Sequence, residues 1–174
     1  MKWHLNIILI ILNLSIFGFT IYCLIFFKGL FVPFFEDGWA SVETMIKDFF
    51  PDANNSAPNY VNYIFLVLLI ILHAFLIKIL LLARKSITKI YSGEIIYDNQ
   101  STDFKTIGGG LIIFAKLKYT LLMITGVFFY VDITIFIDAL PQFLLFYLLG
   151  KILLIISLIV SKGELLKNEN DLTV

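Results

Sequence analysis

Four apolar blocks, each more than twenty residues long, dominate this chain: about 3–27, 60–83, 109–131 and 139–160. A bilayer hydrocarbon core of ~30 Å is crossed by roughly 20 helical residues, so each block is long enough to span it. Inside lipid every backbone N–H and C=O must find its partner within the protein, which leaves helices as the form such blocks take. The fold class expected is therefore all-α: one domain, 1–174, built as a four-helix antiparallel transmembrane bundle with a short outer interfacial helix. Apolar residues make up 60% of the chain. A soluble domain holds about 45–50%, and here the excess is gathered into the blocks. The first block is too long for a secretory signal, whose apolar core is roughly 7–15 residues, and it ends Phe26-Phe27-Lys28 without a small-residue cleavage site. It reads as an uncleaved span with Asn13, Ser15 and Thr20 as polar positions.

The connections set the orientation. The loop 28–59 carries Glu36, Asp37, Glu43, Asp48 and Asp52 against Lys28 and Lys47. Within it, DGWASVETMIKDFFP has the pattern of a short amphipathic helix, with Asp37 to cap it, Pro51 to end it, and Trp39, Val42, Ile46 and Phe49 on one face. Two placements stay open: flat in the membrane interface, or packed over the loop ends of the bundle. Asn54-Asn55-Ser56 matches the glycosylation pattern, which is short enough to arise by chance. The segment 84–108 holds Arg84, Lys85, Lys89 and Lys105, while 132–141 holds Asp132 and Asp138 and no basic residue. Counting Lys and Arg in short loops places 84–108, the tail 161–174 and both termini in the cytoplasm, in a multi-pass protein of the cell (inner) membrane. Ile87, Ile90 and Tyr91 carry the spacing of the second span into the cytoplasm until Gly93. Gly108, Gly109 and Gly110 lead into the third span as a flexible or closely packed stretch. No Lys-Ser/Thr pair follows them, so they are not a phosphate loop. Lys116 and Lys118, in the first turns of that span, are expected to snorkel to the headgroups.

Counting depth at about 1.5 Å per residue puts Asn13, His73, Tyr119 and Lys151 within a few turns of one central layer. On the fourth span Tyr147, Gly150, Lys151, Leu154, Ser157 and Ser161 share a stripe that should face the bundle or a partner. The candidate intramembrane polar site is thus Asn13, His73, Tyr119, Tyr147, Lys151 and Ser157. A charged lysine at mid-bilayer costs at least ~2.5–3.5 kcal/mol. Lys151 escapes by being neutral, by bonding Tyr147, Asn13 or a carbonyl, by water, or by an acid from another chain. The plain readings stand beside these: a tolerated lysine, and for His73 a hydrogen-bonded core histidine. Enzyme patterns are absent. There is no His-Glu-x-x-His, no Gly-x-Ser-x-Gly, and one cysteine, Cys23, which reads as a packed hydrophobe and excludes disulfide and multi-cysteine chemistry. The only acids near the spans, Asp132 and Asp138, sit at an edge, which disfavours a proton-coupled exporter. No cofactor is implied, and a formal net charge of zero argues against direct nucleic-acid binding.

The chain ends GELLKNENDLTV. Gly163, Leu166, Glu169, Asp171, Leu172, Thr173 and Val174 stand where domain-of-unknown-function family 2975 has its C-terminal signature, and the chain resembles that family. Gly93, Ile95, Ile96, Asn99, Phe104, Ile107 and Gly108 follow a second family stretch more loosely, about one residue longer and with Ile96 in place of the usual Phe. The resemblance implies a small bacterial membrane protein with four spans and no assigned catalytic residues, of a kind often encoded beside small helix-turn-helix regulators. The leading expectation is a non-enzymatic membrane regulator or sensor. It sits in the lipid bilayer and binds a small cytoplasmic transcriptional regulator through 84–110 and the tail. A terminal Leu-Thr-Val suits strand addition or carboxylate capture. Alternatively, the tail folds back on 84–110 and closes the bundle. The second expectation is a small transporter or channel subunit, a homo-oligomer with the Tyr147–Lys151–Ser157 stripe lining a path or an interface. A lipid-handling role has no direct support in the sequence.

Overall fold

A computed structural model describes residues 2–31, 39–51, 57–94, 97 and 99–172; for 39–41 and 166–172 it describes the backbone alone. The elements are α1 (Lys2–Phe31), α2 (Trp39–Lys47), α3 (Asn59–Ser92), α4 (Gln100–Thr125) running into a π-helical turn (Gly126–Tyr130), α5 (Ile135–Asp138) and α6 (Leu140–Leu172). Among the described residues there is no strand. Four helices are long and apolar enough to cross a membrane: α1, α3, α4 with its π turn, and the helical stretch Ile135–Leu165 that runs from α5 into α6. The fold is an all-α bundle.

The helices stand in a row rather than a closed square. α3 and α4 pack together in the middle, α1 lies against α3, α6 lies against α4, and α1 and α6 do not pair closely. Small residues explain the tightest contacts, because they let backbones approach where larger side chains would hold them apart. A Cβ on Gly108 would lie 2.7 Å from the Gly150 carbonyl oxygen, and one on Gly150 would lie 2.6 Å from that of Gly108. A Cβ on Gly110 would overlap the Ile79 side chain. Of the two readings of the glycine run, close packing is the one found: it lies within α4, where packing of Gly108 on α6 and Gly110 on α3 offsets the low helix propensity of glycine.

α3 ends as the sequence suggests. Gly93 takes φ 107°, and its N–H reaches the Ile90 and Lys89 carbonyls, a left-handed C-terminal cap that glycine adopts without Cβ strain. α6 continues beyond the apolar block, through Gly163 to Leu172, so the tail is helical up to that residue.

α2 packs over the end of the bundle. Val42, Ile46 and Phe50 recur at helical spacing and are fully buried. Phe50 stacks on Tyr130 with centroids 4.7 Å apart and rings 17° from parallel, and it also meets Phe65. Of the two placements left open, packing on the bundle is the one found, with Phe50 taking the place expected for Phe49, which is half-buried. The Trp39 side chain, Asp37 and the Asn54–Ser56 pattern lie outside the described residues.

Candidate functional site: a polar cleft between the first and last helices

Where α1 and α6 fail to meet, a cavity of about 460 Å³ is left. α1 contributes Ser15, Gly18, Phe19 and Tyr22, Phe49 closes one side, and the inner wall carries His73 of α3, Lys118 of α4 and Gln142 of α6.

Lys118 is the central cation. It is only 9% exposed, and its Nζ donates to Gln142 Oε1 at 2.9 Å. The expected snorkelling is overturned. Lys118 lies nine residues, ~13 Å, past the start of the apolar block at 109, and its amine is held inside by Gln142 instead of reaching back to the headgroups. Lys116, one step round the helix, is exposed. Among the described residues no carboxylate lines the cavity, and the one ion pair joins Lys47 to Glu43 at 3.1 Å.

His73 is fully buried, with Nδ1 2.8 Å from the Leu69 carbonyl oxygen. A carbonyl only accepts, so Nδ1 carries the hydrogen and Nε2 of the neutral ring is an acceptor. Phe19, Tyr22, Phe26 and Phe114 surround the ring with centroids 5.6 to 6.1 Å away. The cleft thus offers a cationic donor, an imidazole acceptor and an amide within aromatic walls.

The six-residue polar layer is not brought together. His73 alone of the six lines the cavity. Asn13 is exposed on α1. The Tyr119 hydroxyl donates to the Phe136 carbonyl at 3.2 Å. Ser157 is buried and donates to the Leu154 carbonyl at 2.7 Å. Tyr147 stacks on Phe143 at 5.5 Å. Lys151 is exposed, its Nζ 5.6 Å above the Tyr147 ring. Register is the cause: Gln142 faces Lys118 while Gly150 faces Gly108, which leaves Lys151 nine residues, ~13 Å, further along α6 than the cavity. The stripe expected to face the bundle splits, with Gly150 and Ser157 buried and Lys151 outside.

Further polar links at the two ends of the bundle escaped the sequence. At the α2 end, the buried Tyr130 hydroxyl donates to Asn62 Oδ1 at 2.6 Å. Nearby, buried Asp132 accepts from the Thr134 N–H at 3.0 Å and hydroxyl at 2.7 Å through Oδ1, and its Oδ2 has no hydrogen-bond partner among the described residues. At the opposite end, Glu164 of α6 caps α4: Oε1 accepts from the Ser101 N–H at 3.0 Å and Oε2 from the Ser101 hydroxyl at 2.6 Å. A carboxylate at a helix N-terminus satisfies free N–H groups and meets the positive end of the dipole. Beside it, Tyr97 donates to Asp103 Oδ2 at 3.0 Å, Lys89 lies 4.0 Å over the Tyr97 ring, and burial pushes the Tyr97 phenol above its ordinary value. No sequence signal links residues this far apart in the chain. Gly163 is half-buried within α6, while the side chains of Leu166, Glu169, Asp171 and Leu172, and all of Ile95, Ile96, Thr173 and Val174, lie outside the described residues.

Fold and cleft together define a multi-span membrane protein with a polar pocket set among its apolar helices. Comparison with protein-family models, curated proteins and solved structures finds no match.

Proposed function

We propose that this protein is a non-enzymatic membrane regulator or sensor: a small ligand occupies the cleft, and α6 carries the occupied state to a cytoplasmic surface. The observation that carries the reading is the Lys118–Gln142 bond, which joins α4 to α6 at the wall of the cleft. A ligand that takes over the Lys118 donors competes with Gln142 and so favours one arrangement of the two helices over another. The same pair is clamped at its far end by Glu164 on Ser101. A continuous helix of 33 residues spans both points.

The Lys and Arg distribution supports placing the α2 end outside and the Glu164 end in the cytoplasm of a cell (inner) membrane. The resemblance to family 2975 supports a small helix-turn-helix regulator as the partner at 84–110 and the tail. Crosslinking from intact cells, comparing the full chain with one ending at Asn170, tests this. Recovery of a small DNA-binding protein by the full chain alone supports the reading; recovery of only the protein itself or other membrane proteins contradicts it.

One observation favours the second reading, a subunit of a small oligomeric transporter or channel. Lys151 is exposed on α6, 11 residues from its start at Leu140 and 21 from its end at Leu172, with its Nζ 5.6 Å over the Tyr147 ring. An exposed cation at that depth suits an acid on a neighbouring subunit. Lys151→Leu would then abolish assembly or flux, and unchanged behaviour in both assays removes this reading.

A further inference from the structure

Lys118 poses a problem of charge. It is a buried cation whose bonded partner among the described residues is a neutral amide, in a cavity whose described lining residues include no carboxylate. Burying a charge without an opposite charge is unfavourable unless something else supplies one. The missing anion then belongs to whatever fills the cavity.

The walls narrow the choice. Phe19, Tyr22 and Phe49 make the sides apolar and aromatic, so a small hydrated anion is a poor fit. α1 and α6 do not close against each other, so an apolar chain can leave the cavity sideways between them into the bilayer. The volume of about 460 Å³ lies within the roughly 300–1,000 Å³ of small-molecule sites, and suits a head group with part of one chain rather than a two-chain lipid. His73 lines the same cavity. An ionised carboxylate supplies the charge and accepts from Lys118.

We propose that the cleft binds a single-chain fatty acid, with its carboxylate on Lys118 and its acyl chain leaving between α1 and α6. This names the ligand class of the site proposed above and rests on reading the cleft as a ligand site. The class is free fatty acid taken from the bilayer, not a phospholipid head group.

The test uses the full chain, purified and delipidated in an uncharged detergent. Carboxyl-labelled oleate is followed by ¹³C NMR, and stoichiometry by native mass spectrometry. One oleate per chain is expected. On the unaltered protein, oleyl alcohol is expected to bind roughly tenfold or more weakly than oleate, since it lacks the anion; acetate should not displace oleate, since it lacks the chain. K118Q should weaken oleate binding by a similar factor, while K116Q, at an exposed lysine outside the cavity lining, leaves it unchanged. Equal affinity for oleate and oleyl alcohol overturns the proposal without any variant having to fold. Displacement of oleate by equimolar dioleoyl phosphatidylglycerol, or a K118Q protein that binds oleate like the parent, overturns it too. The readout needs no cytoplasmic partner. Failed oleate binding with an intact crosslink removes the ligand class alone, and a failed crosslink with intact oleate binding removes the regulator alone.

Discussion

Gly108 of α4 and Gly150 of α6 meet backbone to backbone: a methyl on either would lie within 2.7 Å of the other's carbonyl oxygen. This contact fixes the register of the two helices, and through it the level at which Gln142 finds Lys118. Gly150→Leu should force the helices apart and cost about 1–3 kcal/mol of overpacking strain or more. Gly109→Ala is the matched control. A Cβ there meets nothing within 4 Å, so higher helix propensity should raise stability by up to ~1 kcal/mol. Thermal unfolding in detergent distinguishes the two.

Lys118 and Gln142 are not equivalent partners. Gln142→Leu leaves a buried cation without its acceptor, whereas Lys118→Met removes the charge along with the bond. The first should lower stability clearly and the second should be close to neutral or stabilising. Melting temperatures of the two variants, measured side by side in the absence of fatty acid, check the order.

Tyr130→Phe deletes the hydroxyl that donates to buried Asn62. The cost expected is about 1–3 kcal/mol, because the amide oxygen is left without a donor. Replacing both, Tyr130→Phe with Asn62→Leu, should recover part of that loss. A double-mutant cycle on unfolding free energies reads the coupling directly.

Glu164→Ala removes the cap on α4, an interaction of the kind worth about 0.5–2 kcal/mol. Hydrogen exchange should quicken at the first turn of α4, around Ser101, and stay unchanged at the α2 end near Tyr130. Glu164→Gln keeps an acceptor and should fall between the two.

The spans were legible because the bilayer leaves so few options: a block as long and apolar as 60–83 has no other form to take. Gly93 was legible because a helix stop needs only a local residue in the left-handed region. The position of Lys118 was not, since the start of α4 at Gln100 is set partly by Glu164, 63 residues away from Ser101. The polar layer failed for a related reason. Depth counting centres each helix on its own apolar block, but Gly150 seats on Gly108 and so displaces Lys151 from the level of His73. Tyr130 and Asn62 lie 68 residues apart in the chain, and the π turn that ends at Tyr130 leaves no signature in GVFFY.

The account's central claim is that occupancy of the cleft changes how α6 sits against the rest of the bundle. It is tested most directly by electron–electron distance measurements between spin labels at positions 88 and 165, both exposed, in a Cys23→Ala background, with and without oleate. The account predicts a shifted distance distribution on adding oleate to the parent protein and no shift with K118Q. An unchanged distribution in the parent, with oleate shown to be bound, would contradict it.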